Sequence, residues 1–392
     1  MAALFSLAFK KQPWRFHQLS FILILCILSI SILGGALSVF SGSLIASPVK
    51  IQTQRESVTR NFKNQIKYAQ QAPASTANAK AVASDKKIFR AIKQQHYLMA
   101  NQEMLAAFQH NLSSATDNLA FDLNDELLPL PLDNEITKAK LTYLTQHKLN
   151  LLNQIDQYSS KVVLLLASLQ LTSSNSSGLA PLLISVLLII AITAFSLTFF
   201  ADEMHKTKDL MRVSPANSLQ HFITKSFTTL ACLDSIILLA FAITVGLLLL
   251  IPGYTSGSLL YPISCNIAGT IHIIPAWEAF LLFAGILNLW LIVLASAAFF
   301  CAQLFKNNLA AILVMGAFTF ADKLQLLMLF PEKMRVFFPA YYLNFGNMII
   351  HRNQYATLSL TFVGNTFVTW TLFFIAGAFG MMGIKRFIGK FI

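Results

Sequence analysis

Three charged side chains lie well inside segments that are otherwise apolar enough to cross a membrane: Asp234, Asp322 and Lys323. A charge near the centre of a membrane helix costs about 2.5–3.5 kcal/mol on insertion scales, so such a group is expected to face protein or water. These residues are therefore candidates for the wall of a conduit or for a contact with a transported substrate. An interhelical hydrogen bond, a protonated acid or a position nearer to the membrane boundary would also account for them.

The sequence carries no pattern that indicates catalysis or metal binding. It has no H-E-x-x-H motif and no nucleophile with an evident base, and its four cysteines are scattered. A G-x-x-x-x-G-K-[ST] phosphate loop is also missing, and the nearest glycine-rich piece is GMMGIKRFIGK near the end. We therefore predict no enzyme activity, no metal and no cofactor in this chain. Any ATP would have to be bound by another polypeptide.

Composition indicates the class of protein. The chain has 392 residues, of which 55% are hydrophobic and 12% charged, and its mean hydropathy is +0.60. A soluble globule of this composition would expose too much apolar surface, so the sequence indicates an integral membrane protein. A helix needs about 20 apolar residues to cross a hydrocarbon core of about 30 Å. Six such runs occur, at 20–45, 179–200, 226–251, 277–304, 309–330 and 360–384.

The first run is expected to be a retained span, because about 25 apolar residues exceed an ordinary signal core and no small-x-small cleavage motif stands out. Lys and Arg in the short connecting segments predict the orientation, since they are enriched on the cytoplasmic side. They occur before the first run, after the second, between the fourth and fifth and after the sixth. Both termini are therefore predicted to be cytoplasmic. The net charge of +12 indicates anionic membrane lipids as partners rather than nucleic acid.

Residues 46–178, between the first two runs, are numerous enough for an extracytoplasmic domain. Cap and break residues predict helices over about 48–70, 84–120 and 133–172, so the chain is expected to be all-α. The last helix would be about 60 Å long. It carries an apolar heptad stripe in which Lys148 is the one polar member, and either an intramolecular core or a docking surface would explain that stripe. The apolar loop 252–276, cut by three prolines, is expected to dip into the outer leaflet.

The stretch ADEMHKTKDLMRVSPANSLQHFITK, residues 201–225, is a charged interruption between the second and third runs. Its first part has helical periodicity and is expected to continue the second run beyond the bilayer. Ser214 is placed to cap a new helix whose first position is Pro215, where the missing N–H is not needed. This stretch, hereafter the elbow, is therefore predicted as a helix, a break and a second helix, a shape that can be pushed as one unit.

The elbow resembles the loop between the second and third spans of ABC type-2 exporter permeases, the membrane subunits of ATP-binding-cassette transporters. That family has a Glu after the span, a Leu-rich segment, a Ser/Thr-Pro turn and a Lys opening the next helix. Glu203, Leu210, Ser214-Pro215 and Lys225 occupy those places. Lys206-Thr207 stands where the family usually has Gly-Thr. The segment FFPAYYLNFGNMII, residues 337–350, is similar to the semi-buried segment before the family's last span.

The predicted organisation of the whole chain also resembles this family. It has a cytoplasmic interfacial segment at 1–19 that contains Trp14 and a first transmembrane helix at 20–45. A helical extracytoplasmic domain at 46–178 and a five-helix transmembrane region at 179–392 follow. The fold class is therefore predicted to be an all-α polytopic membrane protein with six transmembrane helices and a large helical domain between the first and second.

This resemblance implies an ABC transporter in the bacterial cytoplasmic membrane that exports an amphipathic peptide, lipid or drug. A separate cytoplasmic ATPase, which binds ATP and magnesium, would grip the elbow. The residues that would couple to it are Glu203, Lys206, Leu210, Arg212, Ser214, Pro215 and Lys225. Six spans are half of the usual twelve, so a homodimer or a pair with a sister permease is implied. The alternative is a membrane sensor or scaffold whose extracytoplasmic helices bind a ligand or partner.

Overall fold

The computed structural model describes residues 14–38, 76–109, 130–151, 160–171, 180–204, 218–250, 256–267, 270–350, 353–355 and 358–388, with scattered residues between 56 and 71. This part of the chain is helical, as predicted, apart from one β-hairpin. In chain order its elements are α1 (Trp14–Ser38), α2 (Thr76–Lys93), α3 (Tyr97–Gln109), α4 (Leu130–Gln146), α5 (Lys161–Ser168), α6 (Ala180–Met204), α7 (Ser218–Leu250), β1 (Pro262–Ile267), β2 (Thr270–Pro275), α8 (Ala276–Leu304), α9 (Asn308–Thr319), α10 (Glu332–Arg335), α11 (Phe345–Ile349) and α12 (Leu360–Ile388).

Four helices of the described chain are long and apolar enough to cross a membrane, which indicates a membrane-embedded protein. They cover Leu182–Ala201, Leu219–Leu250, Ala276–Leu304 and Leu360–Lys385, in α6, α7, α8 and α12. The helix α1 has 25 residues and packs against α6 and α7. It begins at Trp14, before the predicted start of the first span at 20.

The helix α8 lies at the centre of the bundle, in contact with α6, α7, α9 and α12. Its Trp290 is completely buried, and the Trp290 ring meets the Phe367 ring of α12 edge-on at 5.4 Å. Gly377 of α12 faces the Phe300 ring of α8, where an added Cβ would lie 2.8 Å from a ring carbon. The glycine therefore allows α8 and α12 to approach closely.

The predicted span 309–330 is wrong as a continuous helix. The helix α9 ends at Thr319 after 12 residues, a length of about 18 Å, which is short of the roughly 30 Å of a hydrocarbon core. Asp322 and Lys323 lie in the following turn and not within the helix. The chain turns because Gln325 adopts a left-handed conformation with φ 59°, and a 3₁₀ turn, Leu326–Leu329, follows. Two adjacent charges are thereby removed from the helix.

The predicted helix 133–172 is also wrong as one 60 Å rod. The helix α4 ends at Gln146, Lys148 has a left-handed φ of 51°, and α5 is a separate helix of 8 residues. The segment 84–120 likewise breaks at Gln95, with φ 61°, between α2 and α3. The predicted helix 48–70 lies mostly outside the described residues.

The apolar stripe of α4 packs inside the chain where it is described. Leu141 shares a buried cluster with Ile88 and Ile92 of α2 and Met104 of α3. The helix α3 is held to the segment after α4, because the backbone N–H of Leu98 donates to the side chain of Asn150 at 3.2 Å. The helices α2, α3 and α4 therefore form a small core of their own.

The predicted loop 252–276 contains an antiparallel β-hairpin, and its dip into the outer leaflet stays a prediction. Its strands pair from Pro262 with Pro275 to Ile267 with Thr270. Ile263, Cys265 and Ile274 are buried in it, and the prolines stand at the strand ends, where a missing ladder N–H is tolerated. The helix α4 packs against both strands and α8 begins directly after β2. The hairpin therefore joins the helices before α6 to the membrane helices.

Candidate functional site

The elbow contains the end of α6, at Met204, and the start of α7, at Ser218. Five of the predicted coupling residues lie outside the described residues, namely Lys206, Leu210, Arg212, Ser214 and Pro215. Glu203 lies on the last turn of α6 and Lys225 on the second turn of α7. This end of the bundle is called the elbow end, and the opposite end, at the β-hairpin, the hairpin end.

Four phenylalanines pack together at the elbow end and form the elbow cluster: Phe199 of α6, Phe222 of α7, Phe299 of α8 and Phe379 of α12. The Phe199 and Phe222 rings are stacked, with centroids 6.1 Å apart and planes inclined by 23°. The Phe299 ring lies 4.8 Å from Phe222 and 5.8 Å from Phe199. It also meets Phe379 edge-on at 6.0 Å. The two helices that flank the elbow are thus in ring contact with both α8 and α12.

Lys225 is the one predicted coupling residue whose side chain is placed. Its Nζ lies 5.9 Å from the centroid of the Phe199 ring, within the range of a cation–π interaction. Phe222 and Lys225 are three residues apart in α7, so both side chains lie on one face of the helix. The Lys225 ammonium and the Phe222 ring therefore contact the same ring, that of Phe199 on α6.

Polar contacts join the helices beside the elbow cluster. Thr229 of α7 donates to the Thr198 hydroxyl of α6 at 3.1 Å. The buried Ser196 of α6 donates its hydroxyl to the side-chain oxygen of Asn308, at the start of α9. Interhelical hydrogen bonds of this kind stabilise helix pairs in apolar surroundings. A displacement of α7 would therefore also displace α6 and, through α6, the start of α9.

Asp234 lies on α7 and is half-buried, and the Asn288 side chain of α8 hydrogen-bonds its carboxyl group. Intramembrane acids usually face protein partners of this kind. The position therefore agrees with an interhelical hydrogen bond, one of the explanations that the sequence left open. Asn288 also donates to the Ala284 carbonyl at 3.1 Å within α8.

Asp322 and Lys323 lie at the hairpin end, with different partners from Asp234. The Lys323 ammonium donates to the Ser185 hydroxyl of α6 at 2.5 Å. Asp322 interacts electrostatically with Lys323 and with Arg335 of α10. The three conduit candidates therefore do not form one site in the described chain, because the contacts of Asp234 are with α8 and those of Lys323 are with α6.

Three tyrosines at the hairpin end, Tyr341, Tyr342 and Tyr355, form a tyrosine cluster beside Asp322. The Tyr341 ring meets Tyr342 at 5.4 Å and Tyr355 at 5.7 Å, both nearly perpendicular. The Tyr355 hydroxyl donates to the Tyr341 carbonyl at 2.9 Å, and the Tyr342 hydroxyl donates to the Val336 carbonyl at 2.5 Å. Burial raises the pKa of Tyr342 and of Tyr355. Both hydroxyls are therefore neutral hydrogen-bond donors that fix the chain before α12.

The short helix α5 covers the hairpin end of α7. Leu164 and Leu165 are buried against Leu248 near the end of α7. The Lys161 ammonium donates to the Leu249 carbonyl at 2.7 Å. A cation at a helix C-terminus satisfies a carbonyl without an intrahelical partner and complements the helix dipole. The helix α7, 33 residues long, thus contacts the elbow cluster at one end and α5 at the other.

Within the described residues, no group of three or more His, Cys, Asp or Glu side chains is arranged to hold a metal ion. No family model, no curated protein and no solved structure matches this chain. The arrangement of side chains is therefore the basis for a functional assignment.

Sequence reasoning missed the elbow cluster and the tyrosine cluster. Each phenylalanine of the elbow cluster is one of 33 in the chain, and most of these occur in apolar runs where lipid contact is equally expected. The available signal was the position of Phe199 and Phe222, close to either end of the elbow. For the tyrosine cluster it was the pair Tyr341-Tyr342 in a segment already singled out before the last run.

Proposed function

We propose that this protein is the permease subunit of an ATP-driven exporter of the ABC type-2 class. The observation that carries the proposal is the elbow cluster, in which Phe199 and Phe222 contact each other and Phe299. The two helices that flank the charged elbow, α6 and α7, are thereby in contact with α8 at the centre of the bundle. Such a connection is suited to receive a mechanical input.

The input is supplied by a cytoplasmic ATPase that binds the elbow through Glu203, Lys225 and the residues between them. Closure of the ATPase on ATP and magnesium moves the ends of α6 and α7 together. The rings of the elbow cluster pass this movement to α8 and α12, because close-packed aromatic side chains resist compression. The bundle thereby changes its access from one side of the membrane to the other.

The proposal extends to the assembly and its setting. The protein crosses the bacterial cytoplasmic membrane six times, the fifth time through the short helix α9 together with the turn that carries Lys323. Both termini lie in the cytoplasm, and residues 46–178 lie outside. Two copies, or one copy and a sister permease, enclose the path of an amphipathic peptide, lipid or drug. The apolar runs, the Lys and Arg distribution and the residues of the elbow support this arrangement.

The test compares two equal substitutions on α7. Phe222→Leu keeps an apolar side chain at a buried position and removes the ring contacts with Phe199 and Phe299. We expect substrate to stimulate ATP hydrolysis by the co-purifying ATPase at least about fivefold less in Phe222→Leu than in the native chain. A factor of this size corresponds to a typical coupling energy between sites. The measurement is ATP hydrolysis and transport in reconstituted vesicles.

The matched control is Phe241→Leu, which removes one ring contact, with Phe280 at 6.4 Å, from the other end of the same helix. We expect the control to retain stimulation at equal protein abundance. Glu203→Lys, a charge reversal in the elbow, is expected to release the ATPase. Failure of any ATPase to co-purify from native membranes, or full stimulation in both Phe222→Leu and Glu203→Lys, would contradict the proposal.

A second candidate function, a membrane sensor, is supported by the docking of α5 on the end of α7. Binding of a ligand by the extracytoplasmic helices would change the position of α7 through this contact, without any transport. Vesicles that contain the purified full chain and its partner ATPase separate the two functions. ATP-dependent movement of a candidate substrate supports the exporter, whereas ligand binding without transport supports the sensor.

A further inference from the structure

A cleft of about 390 Å³ opens beside the first turns of α12. Its walls are mainly aromatic and come from two segments: Phe337 and Phe338 from the chain after α10, and Phe362, Trp370 and Phe373 from α12. The Phe337 and Phe373 side chains are 55% and 61% exposed, so the cleft opens on the outer surface of the bundle. That surface is the one that a membrane helix presents to lipid.

The aromatic walls are held in place within the protein. The Trp370 indole N–H donates to the Phe337 carbonyl at 2.7 Å, and the Phe338 ring lies 5.6 Å from the Trp370 ring. The Phe337 and Phe362 rings meet at 5.6 Å. These contacts join the two segments that form the walls of the cleft. The cleft is therefore preformed, as binding sites for small molecules usually are.

One polar side chain in the cleft has no hydrogen-bond partner among the described residues. Asn365 is exposed on α12, and the part of the chain that the structure describes provides no hydrogen bond to its side-chain amide. Its backbone carbonyl accepts from the Thr369 hydroxyl at 2.8 Å. An amide that faces hydrocarbon without a partner is unfavourable, because nothing replaces its hydrogen bonds to water. A ligand with a hydrogen-bonding group next to an apolar chain would satisfy it.

Two cations lie close in sequence to the aromatic residues of the cleft. Lys333 and Arg335 lie on α10, within four residues of Phe337, and Lys333 is exposed. Arg335 donates its Nε–H to the Phe330 carbonyl at 3.2 Å and interacts with Asp322. Glu332 is the one acid on α10 itself. Lys333 is thus the cation best placed to meet the headgroup of a lipid, since anionic headgroups attract basic residues near a membrane surface.

We propose that this cleft is a binding site for one anionic glycerophospholipid. An acyl chain lies against the aromatic walls, and an ester carbonyl accepts a hydrogen bond from the Asn365 amide. The headgroup phosphate is neutralised by Lys333. Measured along α12 from its start, Asn365 lies at about 7.5 Å and Trp370 at about 15 Å. The two residues therefore follow the same order as the ester group and the acyl chain of a lipid. The site does not depend on the exporter proposal, because it needs neither ATP nor a partner.

The test uses quenching of Trp370 fluorescence by phospholipids with brominated acyl chains. The purified full chain is placed in vesicles of phosphatidylcholine with an increasing fraction of brominated phosphatidylglycerol, or of brominated phosphatidylcholine. The chain has four tryptophans, so the signal of Trp370 is the difference between the native chain and Trp370→Phe. We expect half-quenching at a clearly lower fraction of the anionic lipid than of the zwitterionic one.

Two variants probe the lipid contacts directly. Asn365→Leu is expected to weaken the anionic-lipid preference about three- to tenfold, the range of one neutral hydrogen bond. Lys333→Gln is expected to weaken it about fivefold. The controls are Lys306→Gln, an exposed lysine between α8 and α9, and Thr371→Val, which loses a hydroxyl bonded within α12 to the Phe367 carbonyl. Both controls should leave the preference unchanged.

Three outcomes would overturn the proposal. Equal quenching by both lipids, unchanged in Asn365→Leu, would mean ordinary contact with surrounding lipid. An absence of quenching by either lipid would mean that another copy of the chain covers the cleft. Native mass spectrometry of the detergent-purified chain gives an independent readout that needs no Trp370 variant. Loss of retained phosphatidylglycerol in Asn365→Leu, but not in Thr371→Val, supports the site, and equal retention in both overturns it.

Discussion

Asp85 is a buried acid in the small core of α2, α3 and α4. Its side chain is 3% exposed, and within the described residues its Oδ2 has no hydrogen-bond partner. Burial raises the pKa of the carboxyl group to about 6. The folded state therefore binds the proton more tightly than the unfolded state, so its stability is greatest below pH 4 and falls as the pH rises to about 6.

We predict that Asp85→Asn stabilises this core by about 1–3 kcal/mol at pH 7.5 and by little at pH 4. The reason is that the amide has the shape of the acid but does not lose a proton. The measurement is hydrogen exchange of the α2 and α3 amides in the full chain at both pH values, corrected for intrinsic exchange rates.

The control for Asp85→Asn is Glu103→Gln, which breaks an exposed ion pair with Lys87, whose atoms are 3.4 Å apart. Such pairs contribute about 0–1 kcal/mol, so the control is expected to change protection only slightly. Equal protection of the native chain and Asp85→Asn at pH 7.5 would show that the acid is solvated in the folded protein.

At the scale of elements, the docking of α5 depends on a glycine of α11. A Cβ built on Gly346 would lie 2.2 Å from the Leu169 carbonyl oxygen and 2.6 Å from that of Gln170. Backbone atoms cannot move aside as a flexible side chain can. The residues directly after α5 therefore rest on α11 at a separation that only glycine permits.

We predict that Gly346→Ala destabilises the protein by about 1–3 kcal/mol, the usual range for overpacking. The matched control is Gly316→Ala in α9, where an added Cβ meets nothing within 4 Å. That control is expected to be neutral or stabilising by up to about 1 kcal/mol, because alanine is the better helix former. Thermal unfolding in detergent measures both, and equal melting temperatures would refute the close packing.

The helix ends show why the sequence predicted helices but not their lengths. Three helices, α2, α4 and α5, stop next to residues with left-handed backbones, namely Gln95, Lys148 and Gln170, and Gln325 ends the turn after α9 in the same way. The next N–H donates back to a carbonyl five residues earlier, as from Leu149 to Leu144, which is the Schellman pattern. Glycine or asparagine usually marks such a stop. With glutamine or lysine there, apolar periodicity continues across the break and predicts a single helix.

At the scale of the whole molecule, membrane character and the approximate positions of the apolar helices follow from hydropathy alone. The sequence does not predict the β-hairpin, because its strands are short and the prolines at 262 and 275 are typical of a loop. Asp234 was identified as a polar position, yet its partner Asn288 belongs to another helix. Contacts between elements depend on how the helices are rotated and packed, which a single sequence does not encode in any local pattern.

The predicted sidedness can be tested with two engineered cysteines in a chain whose four native cysteines are replaced. Thr270→Cys is exposed on β2, and Lys306→Cys is exposed after α8. The helix α8 between them has 29 residues, about 43 Å, so the two sites are expected on opposite faces of the membrane. A membrane-impermeant maleimide added to intact cells should label Thr270→Cys and spare Lys306→Cys.

Lys208→Cys in the elbow serves as the companion site and should behave like Lys306→Cys. Permeabilised cells, in which all three sites should react, control for buried or unreactive thiols. Labelling of Lys208→Cys in intact cells would place the elbow outside and exclude a cytoplasmic motor.

The bond between Lys161 and Leu249 joins residues that are 88 positions apart, and this separation sets an order for biogenesis. At about 5–20 residues per second, the ribosome needs about 4–18 s after Lys161 to reach its acceptor. During that interval Leu164 and Leu165 lack the end of α7 against which they are buried in the folded chain. The contacts of α5 with α7 therefore form only after α7 has been synthesised, and a chaperone or protease would encounter α5 without this cover in the interval.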